Sequence, residues 1–330
     1  MSTSIISWGG VTPGGFGTPG ITAVWPAIQA TSGGGRVVDV ALIDRASPEL
    51  TRWEKEPRLR RASPITYYMI EAVQQALAAA PEIDRSRVGI IATFFLGCLV
   101  YSVRFYRQIT DEGRRFGSPV LFPETVFNSP LSHVVATLGL GGPVYSQIGD
   151  KSCWATGLRT AECWLRNGEA DHVIVLGAEE FEPHELDALH AGGLLRGGLV
   201  PAEGAIALLL GRAGGIAQLT RIVDGYGFDT KSEAPVAARQ CLSEFSDDIP
   251  VMDTATGWTT AVAADALRNR TVIEDDMRSA EGFTISAARD TIRGAQLVQT
   301  RHHDQLVIPV WGLTGQWAAL QLEDAVGANP

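Results

Sequence analysis

The chain has 330 residues, 45% of them hydrophobic and 19% charged, enough to bury a large core in one big domain or two fused similar ones. Its net charge of −10 at pH 7 argues against a nucleic-acid surface. The four cysteines (Cys98, Cys153, Cys163, Cys241) have neither zinc spacing nor a secretory pattern, the N-terminus has no basic-then-apolar leader, and no apolar run reaches the ~18 residues that span a bilayer, so a reduced, cytoplasmic setting is the default expectation.

In chain order, Ile5-Ile6-Ser7-Trp8-Gly9-Gly10-Val11-Thr12-Pro13 predicts a short strand running into a Gly/Pro turn. Gly33-Gly34-Gly35 is a loop and residues 37–43 a strand. The basic run Arg58-Leu59-Arg60-Arg61 reads as a solvated face. Ser63-Pro64 opens a helix to residue 80, with proline suited to the first turn. Residues 88–95 are a near-continuous apolar run, as expected of a strand buried on both faces. Residues 101–113 can be helical, with Tyr101, Phe105 and Tyr106 on one side, facing the core or another subunit. A further helix runs through His133 to Leu140, where His133 is expected to be packed rather than catalytic.

Residues 142–148 read as a strand and 155–167 as a helix closed by Gly168. A strand follows at 171–179, and a loop with Gly193, Gly197 and Gly198 precedes the segment from Leu199 to Leu210. From about Gly214 the alternation repeats: a strand through Ile222, the triplet Gly225-Tyr226-Gly227, a short strand at 249–252 and a last strand at 317–322. His302-His303 reads as an exposed turn before the penultimate strand. Apolar strands alternating with helices give a layered α/β fold.

The stretch Gly149-Asp150-Lys151-Ser152-Cys153-Trp154-Ala155-Thr156-Gly157-Leu158-Arg159 carries the chemistry. A strand turning sharply into a helix sets one side chain at the helix N-terminus, where backbone N–H groups and the positive dipole end lower a thiol's pKa and make it a nucleophile. This turn resembles the nucleophile turn of the thiolase-like superfamily, most closely that of the β-ketoacyl synthases, roughly A-C-x-(S/T)-(S/G); thiolases read C-G-S-G-L-(R/K)-A. Against either pattern, Ala155-Thr156-Gly157-Leu158-Arg159 falls into register when Trp154 takes the cysteine's place. Cys153 is then either a packed core thiol or, given a local insertion, a nucleophile displaced by one residue.

The resemblance extends along most of the chain. It includes the opening strand and glycine turn, the P-x-x-x-x-N segment from Pro123 to Asn128, Leu138-Gly139-Leu140-Gly141-Gly142-Pro143, and Leu199-Val200-Pro201-Ala202-Glu203-Gly204-Ala205 against F-V-x-G-E-G-A. It implies a thiolase-like αβαβα fold built from two similar halves, 1–212 and a shortened 213–330.

Ketosynthases pair their cysteine with two polar side chains, usually histidines, that assist decarboxylation and hold the developing oxyanion. Set against A-H-G-T-G-T, Ala255-Thr256-Gly257-Trp258-Thr259-Thr260 puts Thr256 at the first histidine. Set against K-S-x-x-G-H-T-x-G-A-A, the run from Arg278 to Ala288 puts Phe283 at the second histidine and Arg278 at the lysine, for which its fixed guanidinium fork is a poor substitute. The oxyanion loop G-F-G-G-x-N matches Gly312-Leu313-Thr314-Gly315-Gln316, with Leu313 for the gating aromatic. The frame persists while the reactive groups are replaced. An indole forms no thioester, and Trp154 in that place would occlude about 150–250 Å² of the acyl entrance.

The resemblance therefore implies a non-condensing, chain-length-factor-like subunit of type II polyketide or fatty-acid-type (aryl-polyene-like included) biosynthesis. It would form a heterodimer with an active ketosynthase, pairing across the two-fold through the Val144 to Ile148 strand, and work on chains borne by an acyl carrier protein. Trp154, Phe283, Trp258, Leu313 and Thr314 would fill a redundant pocket or shape the tunnel. An acyltransferase of altered chemistry is the second reading, with Cys153 as nucleophile or with Glu203, Asp253 and His190 (and His184 nearby) in other roles; a homodimeric scaffold is the third. No metal spacing, phosphate loop or dinucleotide fingerprint is present, so no cofactor or metal is expected.

Overall fold

The computed structural model describes residues 3–275, 280–300 and 302–325. The first half reads β1 (Thr3–Thr12), β2 (Gly15–Phe16), α1 (Gly17–Ile21), β3 (Ile28–Thr31), β4 (Val37–Val40), α2 (Pro48–Glu54), α3 (Pro64–Ala78), β5 (Val88–Phe94), α4 (Leu99–Arg107), α5 (Ser129–Leu138), β6 (Val144–Ile148), α6 (Cys153–Asn167), β7 (His172–Glu179), α7 (Pro183–Ala191) and β8 (Gly204–Gly211). The second reads β9 (Ala217–Gly227), α8 (Ala234–Leu242), β10 (Val251–Met252), α9 (Thr259–Ala266), β11 (Val272–Ile273), α10 (Thr284–Gln299), β12 (Gln305–Trp311) and β13 (Gln316–Asp324).

The main sheet runs β11-β10-β12-β13-β9-β1-β8-β7-β5-β6. Read outward from the β9–β1 junction, its two sides repeat each other. The two inner pairs on each side, β1–β8 with β8–β7 and β9–β13 with β13–β12, are antiparallel. The two outer pairs, β7–β5 with β5–β6 and β12–β10 with β10–β11, are parallel. The fold is thus the expected thiolase-like arrangement of two similar halves.

Side-chain alternation along each strand makes the layers. In β8, Ile206, Leu208 and Leu210 face a central core, while Ala205, Ala207 and Leu209 face an outer one with α3 and α5. In β13, Ala318, Leu320 and Leu322 face the same central core, while Trp317 and Ala319 face a second outer core with α8 and α9. Helices α6 and α10 fill the central core with Trp154, Leu158, Leu165, Ile285, Ile292 and Val298. The stacking is therefore outer helices, half-sheet, α6 and α10, half-sheet, outer helices.

Two local expectations shift. The strand at 37–43 stops at Val40 and pairs with β3 in a separate hairpin. Ahead of β8, the segment from Leu199 forms isolated bridges, Ala41 with Ala202 and Pro201 with Glu281. The helix at 101–113 is α-helical only to Arg107 and then loosens into a π turn, Gln108–Glu112. Its aromatic side is not core: Phe105 packs on Phe122 with centroids 5.5 Å apart, and Tyr106 is exposed.

The end of β7 carries two fully buried carboxylates. Glu179 accepts N–H groups of Phe95, Leu96 and Gly97, tying down the turn after β5, and burial raises its pKa to about 7. Glu180 accepts the Ile65 N–H at 2.9 Å and has one oxygen without a partner among the described residues; burial pushes it up to about 8. Because their protonated forms are favoured in the fold, both groups destabilise it progressively as pH rises from the ordinary 4.5 to about 8. Glu180→Gln should flatten this decline, so urea midpoints of variant and parent should differ more at pH 8 than at pH 5.

Candidate active site

The turn between β6 and α6 faces the segment that leads into α10. Gly149 N–H donates to the Phe94 carbonyl at 3.0 Å, which fixes the turn on the end of β5. Two residues on, the Lys151 side chain enters the protein with 1% of its surface exposed, and its ammonium donates to Glu281 Oε2 at 3.0 Å. Thr256 Oγ1 donates to the same oxygen at 2.6 Å, and the Phe283 N–H donates to Oε1 at 2.7 Å. Glu281 is itself 1% exposed and is anchored through its own N–H to the Val200 carbonyl at 2.8 Å. A buried ammonium, a carboxylate and a hydroxyl thus converge where the two halves meet.

Asp150 completes the turn from the other side. Its carboxylate accepts the N–H groups of Leu313 (2.7 Å), Thr314 (2.9 Å) and Gly315 (3.1 Å), besides that of Lys151 (2.8 Å). The loop admits this approach because of its glycines. A Cβ at Gly312 would stand 2.3 Å from Asp150 Oδ2, and Gly315 has φ of +154°. The N–H groups expected to face an oxyanion therefore face the chain's own carboxylate.

Phe283 is wholly enclosed. It stacks on Phe95 with centroids 4.4 Å apart and packs with Phe181, Leu199 and Leu313. Its φ of +54° makes it the one non-glycine residue with positive φ among those described, a strained conformation of the kind that gathers at sites. Trp258 lies half-buried between Phe228 and Trp317, with the Lys231 ammonium 4.7 Å over its ring, and Thr314 is exposed. A cavity of about 250 Å³ opens beside Thr256 and Glu281 and shares Gly198, Leu199 and Val200 with a neighbouring cleft of about 500 Å³ at Arg36 and His190.

Trp154, expected to fill a redundant pocket or shape the tunnel, stands apart from both of these cavities. Its side chain is fully buried in the central core, and its indole N–H donates to Thr291 Oγ1 on α10 at 3.0 Å. It lines neither cavity: its indole reaches α10 in the central core, while the Lys151 side chain, from the turn before α6, reaches Glu281. The side chain of the turn that meets the Thr256 position is that of Lys151. Cys153 is buried as well, its thiol 3.9 Å from the Phe94 carbonyl, and burial, with Glu179 and Asp150 nearby, holds its pKa well above the ordinary thiol value. Desolvation and like charge there outweigh the helix N-terminus.

The other candidates are not brought together. Glu203 is buried against Arg45 (2.9 Å) and Tyr68 (3.2 Å). Asp253 accepts the Ala255 N–H at 2.9 Å. His184 is half-buried and His190 exposed on α7, where His190 accepts from Arg36 at 2.7 Å. His133 is packed against Glu124 at 3.1 Å. Arg278 lies outside the described residues. Among the described residues, no group of three or more His, Cys, Asp or Glu could hold a metal. Lys151 and Glu281 escaped the sequence reading, although each is a charge set inside a motif stretch of small and apolar residues.

Removing one member of a buried pair strands the other charge, at about 3–5 kcal/mol, whereas replacing both with apolar residues is often neutral. Glu281→Leu alone strands the Lys151 ammonium and should lower the unfolding free energy by about that much, and adding Lys151→Met should recover most of it; a denaturant double-mutant cycle reads the coupling. Trp154→Ala should cost about 3–5 kcal/mol through the cavity it leaves.

Comparison with known proteins places this geometry. Residues 33–213 match the family "Beta-ketoacyl synthase, N-terminal domain". No curated protein matches the sequence. Among solved structures, the ishigamide ketosynthase/chain length factor superposes with a TM-score of 0.80 at 15% identity, over 98% of this chain and 99% of that one. A type II polyketide synthase acyl-carrier protein in complex with its ketosynthase bound to the hexaketide superposes at 0.76 with 16% identity, over 98% and 99%. A β-ketoacyl synthase from Burkholderia phymatum STM815 does so at 0.76 with 12% identity, over 98% and 99%. With a family match over more than half its length and the doubled fold around the β6–α6 turn, the chain belongs to the β-ketoacyl synthase family.

Proposed function

We propose that this chain is a non-condensing ketosynthase homologue. In this reading it is a chain-length-factor-like subunit that pairs with an active ketosynthase and shapes the space in which a carrier-bound acyl chain grows. The observation that carries the proposal is the buried Lys151–Glu281 pair with Thr256 on the same carboxylate oxygen. Condensation needs a thiolate facing two hydrogen-bonding groups, and here the turn offers an ammonium whose charge is already matched. Phe283 has no proton to give, and the loop N–H groups at Leu313 to Gly315 are taken by Asp150.

Pairing is supported by β6. It ends the sheet, and its residues Val144, Tyr145 and Ile148 are 46%, 50% and 48% exposed. A sheet edge with half-exposed apolar side chains suits addition of a second sheet. The titles of two similar structures name a chain length factor and an acyl-carrier protein, which agrees in kind. No helix among the described residues is long and apolar enough to cross a membrane.

The reading in which Cys153 is an acyl nucleophile has less behind it, since a buried thiol with a raised pKa is neutral at pH 7. Incubation with acyl thioesters should leave the intact mass unchanged; an acyl adduct that Cys153→Ala abolishes would reverse the ranking.

The decisive test is affinity purification of the tagged chain from its native cells, with intact mass of the complex. Equimolar recovery with a cysteine-bearing homologue is expected, and Tyr145→Lys with Ile148→Lys should abolish it. Recovery as a homodimer alone would overturn the proposal.

A further inference from the structure

We propose that the turn Leu313-Thr314-Gly315 is an anion-binding nest whose resident ligand is the chain's own Asp150 carboxylate. Removal of that carboxylate would convert the nest into a site for small external monocarboxylates such as formate and acetate. The inference does not depend on the chain-length-factor reading. It rests on three successive N–H groups converging on one carboxylate, at 2.7, 2.9 and 3.1 Å. Successive N–H groups around a concave turn are the usual form of a protein anion site.

Two further features favour a built site over a loop bond made in passing. The Gly312 α-carbon faces Asp150 so closely that any side chain there would meet Oδ2 at 2.3 Å, and Gly315, whose N–H donates to Oδ2, has a φ of +154°. Both carboxylate oxygens are used, Oδ1 by Leu313 and Oδ2 by Thr314 and Gly315. A carboxylate shared in this way is matched by formate or acetate in shape and charge. Asp150 is half-buried and Thr314 exposed, so a small anion can reach the turn from solvent once the side chain is shortened.

The bond also ties two distant parts of the chain, the β6–α6 turn and the β12–β13 connection. Asp150 thereby works as an intramolecular strap. While it is bound, no external oxygen can collect the three donors, so the site is self-occupied.

The test compares the full-length parent with Asp150→Ala and Asp150→Asn. Asp150→Ala should lower the thermal midpoint by several degrees. Sodium formate or acetate should restore most of that loss saturably at millimolar concentrations, while sodium chloride at equal ionic strength should not. In ¹⁵N spectra of Asp150→Ala, the amides of Leu313, Thr314 and Gly315 should shift with added formate. Asp150→Asn still fills the space, so neither it nor the parent should respond. An unchanged midpoint in Asp150→Ala, a loss that formate relieves no better than chloride, or an equal response in Asp150→Asn would each overturn the proposal. Where Asp150→Ala does not fold in plain buffer, refolding in formate but not in chloride supports it, and failure in both overturns it.

Discussion

The ion pair between Lys151 and Glu281 is the interaction on which the centre of this protein depends. It joins the turn that begins α6 in the first half to the segment that begins α10 in the second. Both helices lie in the central layer, so the pair fixes their N-termini relative to each other. Two charges with 1% exposure are expensive to bury, and the bonds that Thr256 and the Phe283 N–H make to the same carboxylate help to offset the cost. A hydrophobic contact would hold the helices as well. What the pair adds is direction: one acceptor oxygen receives Lys151 and Thr256, which sets the turn against the loop after β10 to within a hydrogen-bond length.

Around this point the doubled sheet behaves as two copies of one design. Each half turns one face of its inner strands to α6 and α10 and the other to its own outer helices. The central layer belongs to neither half alone, and Trp154 illustrates this. It starts in a helix of the first half, and its indole N–H ends on Thr291 of the second. The strained backbone at Phe283 sits at the same seam, enclosed by rings that leave it no alternative position.

Much of the frame was legible in the sequence. Long apolar strands such as β5, β7 and β8 and the helices α3 and α6 announce themselves through burial on both faces or through proline and glycine at their ends. The site was less legible, because it is assembled from separate stretches and each was aligned alone. Motif spacing in the turn favoured Trp154, yet a helix turns about 100° per residue, and only the fold shows which residue points toward Thr256. Opposite charges at Lys151 and Glu281 were visible but had no assigned neighbour, being 130 residues apart. The same holds for Asp150, whose partners lie some 163 residues on. Of the β3–β4 hairpin only the second strand was legible; β3 was missed because it is short and largely exposed.

The open edge at β6 has a consequence for how such a chain lives in a cell. An edge strand with half-exposed Val144, Tyr145 and Ile148 presents unpaired backbone groups beside greasy side chains, a template that adds whatever strand arrives first. If the proposed companion is absent, the same edge is open to other copies of this chain. Under the proposed pairing, its abundance would follow the supply of the chain that covers the edge.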